Sequence, residues 1–332
     1  MLMNQPDNLE QRQLPSISVV ICCHNSASRL PETLRHLAAQ QQLDGLDWAI
    51  LVIDNASTDG TTTVCSEFAV AHPRLSIRCV LESRLGQAYA RLRGLMEARG
   101  DVILFVDDDN WLDPDYLAIV AHTMAAHPEI AILGGTSSAV CEQEPPAWFP
   151  RHQRWYAVSG PSQGTQALTE VGFVWGAGSA YRRGTLERAT ATPLRIPGRQ
   201  GEALHAGDDD ELCWLARLTG DRMFIHTQLH FRHYLPARRL SWDYLRKLNR
   251  SAGEVSVSLD AYRLEHGQSV WPRWLLQSWH AQLLNAYWRL LHHPVLWWRA
   301  TREPLEGDDR VLRWEKYCGR LAALKNDRKV GV

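Results

Sequence analysis

Short apolar runs that alternate with amphipathic stretches constrain this chain more than any other feature of its sequence. In order they read ISVVIC, RLPETLRHLAAQQ, WAILVID, TTTVCSEFAVAH, LSIRCVL, GQAYARLRGLMEA and DVILFVDDD. Strand followed by helix followed by strand predicts a parallel sheet with helices on its faces, because parallel neighbours need a long crossover connection. SVVIC, AILVI and VILFV show little alternation of apolar and polar residues, as expected of strands covered on both faces. Ligands in such open sheets collect beyond the carboxyl ends of the strands. The first, second and fourth runs end in CCHN, DNASTDG and DDDN, so polar side chains cluster where a site is expected.

A length of 332 residues fits one large domain or two packed units. With 45% hydrophobic and 22% charged residues, the composition is that of a folded globular chain and excludes disorder, collagen and coiled coil. No stretch reaches the roughly 18 uninterrupted apolar residues of a spanning helix. The opening MLMNQPDNLEQRQLP lacks an apolar signal-peptide core, so the expected compartment is the cytosol. Seven cysteines without a CxxC pair argue against a disulfide framework or zinc ribbon and are expected to be reduced and mostly buried.

After about residue 136 the pattern loosens into a long loop rich in Pro, Gly, Ser and Gln, followed by a strand candidate, EVGFVWGAGSAYRR. A second glycine-punctuated loop, TPLRIPGRQGEALHAG, leads into the helical DDDELCWLARLTG, which Gly220 is placed to stop. From Ser241, a plausible N-cap, the signals are helical, with Leu276, Trp279, Leu283, Tyr287 and Leu290 roughly on one stripe.

The formal net charge of −1 hides an asymmetry. Residues 1–230 hold 18 Lys and Arg against 27 Asp and Glu, a net of −9, while residues 231–332 hold 18 against 10, a net of +8. The basic tail also carries eight of the 14 Trp: Trp242, Trp271, Trp274, Trp279, Trp288, Trp297, Trp298 and Trp314. Basic and Trp-rich helices suit a membrane surface, and packing on the rest of the chain or into a homodimer is the alternative.

Two acidic clusters carry the chemistry. Asp107, Asp108 and Asp109 follow an apolar strand, and three adjacent carboxylates at a strand end are costly unless a cation neutralises them. A hard divalent ion bridging to phosphate oxygens fits that demand; an acidic turn before a helix is the plainer account. The second cluster, DDDE at 208–211, opens a helix, where the macrodipole alone favours carboxylates. With both clusters in one chain, one set can hold metal and diphosphate while a carboxylate of the other deprotonates an acceptor hydroxyl. His226, His230 and His233 fall in MFIHTQLHFRHY, which reads as a strand running into a loop, so they need not converge on zinc. One of them joining the acidic cluster on a shared cation is the expectation.

At this point ISVVICCHN, VIDNASTDGT, LGQAYARLRG, FVDDDNWLDPDYL, VWGAGSAYRR, GDDDELCWLARLTG and HYLPARRLSWDYLRKLNR together resemble the family 2 glycosyltransferases, inverting enzymes of the GT-A fold, over about residues 15–250. The resemblance implies an α/β, GT-A type fold: a mostly parallel open sheet flanked by helices, with a helical C-terminal extension. Residues 1–14 form a flexible N-terminus, 15–240 the catalytic domain (a nucleotide-binding half to about 135, an acceptor half from 136) and 241–332 a helical region. It further implies a nucleoside-diphosphate sugar donor, UDP type favoured, with Mn²⁺ or Mg²⁺ as cofactor, and a glycan or lipid-linked acceptor in cell-surface polysaccharide synthesis. No nucleic-acid partner is expected, and the expected place is the cytoplasm or the cytoplasmic membrane face.

Carried over by position, Asp54 meets the nucleobase and Arg91 the nucleotide, while Asp107 and Asp108 belong to the nucleotide-binding DxD region and Asp109 is its metal ligand. His233 matches a histidine that helps hold metal or diphosphate. GDDDEL resembles the G-E-D-x-E-L box, which makes Asp209 the general base and Asp208, standing where the family has Glu, its supporting or alternative carboxylate. LRG at 92–94 departs from the A-R-N-x-G wording at Leu92. Trp175 and Gly176 of WGAG are expected beside the donor or acceptor sugar; a buried strand with a glycine bulge is the alternative.

A nucleotidyltransferase or an NAD-dependent oxidoreductase needs a glycine-rich loop after the first strand, and CCHNSAS has no glycine. A non-catalytic scaffold of the same fold in a polysaccharide assembly is the remaining alternative, disfavoured by two intact acidic clusters.

Overall fold

The computed structural model describes residues 13–159, 167–196, 198–199, 204, 207–267, 272–292, 294–302 and 305–330. Residues 1–12 of the expected N-terminal segment, Trp271 and inner parts of both expected loops lie outside the described residues, as does the side chain of Leu276.

The chain opens with β1 (Ile17–Cys23), α1 (Leu30–Ala38), β2 (Trp48–Asn55), α2 (Thr61–Ala71), β3 (Ile77–Glu82), α3 (Gln87–Glu97) and β4 (Val102–Asp107). Its strands lie in the order β3-β2-β1-β4, all parallel. The apolar runs are explained by helices on both faces: Val19, Ile21, Val52 and Leu104 enter one core, and Val20, Ile53, Ile103 and Phe105 the other. Helix α1 meets the sheet through Leu30, Thr33, Leu34 and Leu37, the spacing of one helical stripe. Because β1 sits between β2 and β4, the strand order reverses there and opens a crevice at their carboxyl ends.

Beyond β4 come β5 (Asn110–Leu112), α4 (Tyr116–Ala126), β6 (Ile130–Cys141), α5 (Phe149–His152), β7 (Leu168–Val171), β8 (Ser179–Arg182), α6 (Arg183–Ala189), α7 (Asp208–Leu218) and β9 (Arg222–Leu235). Strand β8 joins β4 antiparallel, and the sheet, nine strands among the described residues, continues β6-β9-β5, mixed in direction, with β7 also on β9. The 14-residue β9 lies along β6 on one side and along β7 and then β5 on the other. The single strand expected over EVGFVWGAGSAYRR is two strands, β7 and β8, with WGAG in the turn between them. Gly178 there has φ +65°, and a Cβ on it would lie 2.8 Å from the Tyr116 hydroxyl and 2.9 Å from the Phe231 ring. Gly220 at φ +80° follows the end of α7, as its position in the sequence implies.

The tail forms α8 (Trp242–Glu265), α9 (Arg273–Gln277), α10 (Trp279–Leu291), α11 (Pro294–Thr301) and α12 (Asp309–Val330). Ser241 caps α8 by accepting the Tyr244 amide at 3.2 Å. Helices α8 and α12 cross closely because Gly253 and Gly319 have no side chain: a Cβ on either would overlap the backbone carbonyl of Lys316 or Arg250. Ion pairs of Arg246 with Glu315 (2.6 Å) and Arg320 with Asp260 (2.6 Å) hold the crossing. Among the described residues no helix is long and apolar enough to cross a membrane. All seven cysteines are free, with Cys23, Cys65 and Cys213 fully buried.

Candidate active site

The three aspartates after β4 point in different directions. Asp107 faces a cavity and lines it. Asp108 turns toward α1, where its carboxylate accepts from Ser26 and pairs with Arg29 at 2.6 Å and its carbonyl accepts from Thr33 at 2.8 Å. Asp109 is 2% exposed and lies between Arg239 (2.9 Å) and His233 Nε2 (3.3 Å). This triad follows from strand pairing, since β5 runs antiparallel to β9 with Asn110 opposite His233, and the Tyr234 amide donates to the Asp109 carbonyl at 2.8 Å. Burial raises the Asp107 carboxyl above its usual value, and neighbouring Asp109 adds to the rise. Burial opposes ionisation of Asp109 too, but Arg239 and His233 outweigh it and hold that carboxyl well below the usual range.

Across the cavity lies the first turn of α7. Its Asp209 carboxylate is fixed by two amides, Gly176 N at 3.0 Å and Asp210 N at 3.0 Å. Asp208, 4% exposed, pairs with the equally buried Arg91 at 2.7 Å. Burial works against both charges; it lifts the Asp208 carboxyl, while Asp208 and Asp209 keep Arg91 firmly protonated. Asp210 is pushed up to about 7 by burial and then by Asp209. Gly176 is required by close approach, since a Cβ there would press on the Arg91 guanidinium and lie 3.0 Å from Asp209 Cβ. Glu211 takes no part in lining the cavity: it accepts the Arg195 and Ile196 amides (2.7 and 2.8 Å) and the Tyr262 hydroxyl (2.5 Å), tying α7 to the preceding loop and to α8.

The cavity measures about 500 Å³ and brings together Arg91, Asp107, Trp175, Gly176, Asp208, Asp209 and His233 of the residues expected from the sequence. Trp175 stands in its wall with Phe173 edge-on at 4.9 Å. Asp109 lies just behind His233 and Arg239. Asp54 and Asp108 do not line it; Asp54, at the end of β2, accepts from the Ser57 amide at 3.1 Å and from the Thr62 hydroxyl. His226 and His230 stay apart from His233, with His226 in the β7 pairing and His230 bonded to Asp113 at 2.9 Å. Sequence reasoning missed Arg199 and Arg239 in the cavity wall, and the whole wall supplied by α8 and α12, including Val255, Leu259, Arg263 and Lys316. Arg239 stands inside HYLPARRL and was legible as a basic residue following His233, whereas nothing in the sequence marks Lys316.

Among the described residues no three acidic or histidine side chains form a ready-made metal cage. The donors nevertheless fit a divalent ion that completes its shell with diphosphate and water: a buried, anionic Asp109, a cavity-facing Asp107, and His233, whose Nδ1 is buried without a hydrogen-bond partner.

Residues 18–189 match the model for Glycosyl transferase family 2. The glucosyl-dolichyl phosphate glucuronosyltransferase of Haloferax volcanii is 24% identical over 232 residues, 69% of this chain and 72% of that protein. Three further curated glycosyltransferases match over only 26% to 34% of their own length. Among solved structures, mannosyltransferase PcManGT of Pyrobaculum calidifontis, in complex with GDP-Man and Mn²⁺, superposes over 95% of this chain and 87% of its own, with TM-score 0.59 and 20% identity. S. aureus TarS 1-349 in complex with UDP-GlcNAc covers 95% and 92%, with TM-score 0.54 and 16% identity. The fold of this chain is the GT-A fold of these transferases.

Proposed function

The chain belongs to glycosyl transferase family 2, and from that premise we propose that it moves a sugar from a nucleoside diphosphate, UDP type favoured, to a hydroxyl of a glycan or lipid-linked acceptor, inverting the anomeric carbon. The observation that carries this reading is the Asp209 carboxylate, held by two backbone amides across one cavity from the Asp107 carboxylate.

In this reading Asp209 takes the proton of the acceptor hydroxyl as its oxygen attacks the sugar from the face opposite the leaving diphosphate. Arg91, Arg199 and Arg239 line the cavity and stabilise the charge that departs. Asp109 and His233, with Asp107 beside them, are the residues that would hold Mn²⁺ or Mg²⁺, and a bound ion would neutralise the departing diphosphate. Asp54, at the end of β2 and outside the cavity lining, is assigned to the base side of the nucleotide. Asp108 acts at one remove, fixing the acidic turn through Ser26 and Arg29. Trp175 offers a ring for the sugar to stack on, and Gly176 lets the sugar approach the base.

A thermal-shift series with UDP, GDP and TDP, with and without Mn²⁺, tests the donor assignment, because a ligand of the native state raises the melting temperature. At 100 times Kd the expected stabilisation is about 2.7 kcal/mol, and UDP with Mn²⁺ is expected to give the largest shift. No shift with any nucleotide sinks the assignment. A scaffold of the same fold binds nucleotide without releasing it from a donor sugar, so release measured with a mixed acceptor pool separates the two readings.

We further assign the tail to the cytoplasmic membrane face. Residues 266–302 contain four Arg and no Asp or Glu. Helices α10 and α11 leave Trp288 54%, Leu291 75%, Trp297 45% and Trp298 42% exposed, apolar and aromatic surface in a stretch whose formal charges are all Arg, suited to an anionic leaflet. Each nearby Arg adds roughly 1 kcal/mol there. Flotation with anionic vesicles at low salt is expected to carry the full-length protein upward, and the effect should weaken at high salt. A protein that stays at the bottom rules the assignment out, and a doubled mass in light scattering would instead identify a homodimer over the same face.

A further inference from the structure

We propose that Arg263 and Lys316 form an anion-binding subsite at the acceptor end of the cavity, selecting an acceptor with a phosphate or carboxylate near the hydroxyl that is attacked. The proposal rests on the glycosyltransferase reading of the cavity and adds the chemical class of its acceptor.

The subsite is built by the tail. Gly253 and Gly319 let α12 lie directly on α8, and the Arg246–Glu315 and Arg320–Asp260 pairs fix its register on either side of Lys316. That crossing brings Lys316 into the lining of the same cavity as Arg263, Trp175 and Asp209. Val255 and Leu259 give the cavity apolar surface beside them, while Lys316 is exposed and Arg263 34% exposed, so both cations are accessible to an acceptor entering from solvent.

The local charges do not cancel. Asp260 already serves both Arg263 (2.9 Å) and Arg320 (2.6 Å), and among the described residues Lys316 has no ion-pair partner. The nearby acids are engaged elsewhere: Asp208 with Arg91, and Asp209 with two amides. Asp210 faces Arg263 and Lys316, but burial and Asp209 push its carboxyl up to about 7, so it carries only part of a charge at neutral pH. Burial and the neighbouring Arg263 and Arg320 together lower the Lys316 ammonium, as expected where cations are crowded. Three cations around one full carboxylate leave an excess of positive charge facing the acceptor space, and an anionic group on the acceptor supplies what the protein does not.

The test uses the full-length protein, free and saturated with UDP and Mn²⁺, titrated by calorimetry. The probes are geranyl phosphate and methyl β-glucuronoside, each paired with its uncharged counterpart, geraniol and methyl β-glucoside. One anionic probe is expected to bind about tenfold or more tighter than its counterpart, the worth of one charge-assisted hydrogen bond. Preference for the phosphate identifies a phospholipid-like carrier, and preference for the glucuronoside an acidic glycan. Lys316→Gln, which breaks no ion pair, should reduce the preference, and the Arg263→Gln/Lys316→Gln pair should remove it with nucleotide affinity unchanged. Equal binding of charged and uncharged probes, or a preference that survives both substitutions, overturns the subsite. Failure of the donor reading shows separately, as absence of UDP binding in the first titration.

Discussion

Asp209→Asn is expected to lower turnover by about two to four powers of ten while fold and nucleotide affinity stay close to wild type. The amide keeps the shape of the carboxylate and one oxygen for the Gly176 N–H, now 3.0 Å away, and although its NH2 replaces the oxygen that the Asp210 amide donates to, α7 stays anchored through Glu211. It has lost the acceptor for the Asp210 amide and the basic lone pair that, in the proposed mechanism, takes the acceptor proton. Its neighbours should fail differently. Asp208→Asn weakens the 2.7 Å pair that holds Arg91, so its cost should appear in nucleotide affinity and KM before kcat. Inactivity of Asp208→Asn with near-normal turnover of Asp209→Asn moves the base by one residue and sinks the assignment. Asp210 carries a separate signature. Its carboxyl ordinarily titrates near 3.8 and in the fold near 7, raised first by burial and then by Asp209, so the native state holds a proton that the unfolded chain has released. Stability from this group is full below about pH 4 and is lost as pH rises toward 7. Asp210→Asn should therefore be more stable than wild type at pH 8 and equal to it at pH 3, read from denaturant midpoints.

The second large effect is loss of the divalent ion. Exhaustive EDTA treatment is expected to lower turnover by roughly three powers of ten or more, since several kcal/mol of charge stabilisation at a leaving diphosphate disappears. Asp109→Ala should reproduce the loss and abolish the Mn²⁺ dependence of nucleotide binding. The site gives a reason to expect so large a cost: the Asp109 carboxylate is almost fully buried and stays ionised against burial because Arg239 and His233 flank it. With Asp109 removed, Arg239 faces the cavity without its anion and His233 loses its carboxylate partner, leaving Asp107 as the remaining carboxylate of the turn that lines the cavity. Full turnover after EDTA, with Mn²⁺ giving no recovery in either protein, refutes the metal role. The same experiment on Arg239→Ala reads the arginine's share, because a cation that merely neutralises Asp109 would leave tighter Mn²⁺ binding behind when removed.

How far the sequence reaches depends on the range of each interaction. The strands SVVIC, AILVI and VILFV, the stop at Gly220 and the cap at Ser241 are written in local periodicity and backbone preference, and the fold carries each of them. The acidic ends of β4 and α7 were legible for the same reason, because a run of carboxylates at an element's end is a local anomaly. The direction in which each carboxylate points was not. Asp107, Asp108 and Asp109 are adjacent in sequence yet face the cavity, α1 and β9, a division made by Arg29 from one element and by His233 and Arg239 from others. WGAG read as strand because its flanks are β-formers; it turns because Gly178 must pass the Tyr116 hydroxyl and the Phe231 ring, contacts that arise only when α4 and β9 are in place.

By itself the sequence determined the parallel strands β1 to β4, the helical tail and the two acidic clusters, since periodicity, caps and charge runs act over a few residues. Only the tertiary structure decided that β5 pairs with β9, which sets His233 against Asp109, and that Gly253 and Gly319 let α12 bring Lys316 into the cavity. Those choices are made by strand register and by a helix crossing, where residues far apart in the chain meet through shape and charge that no local window contains.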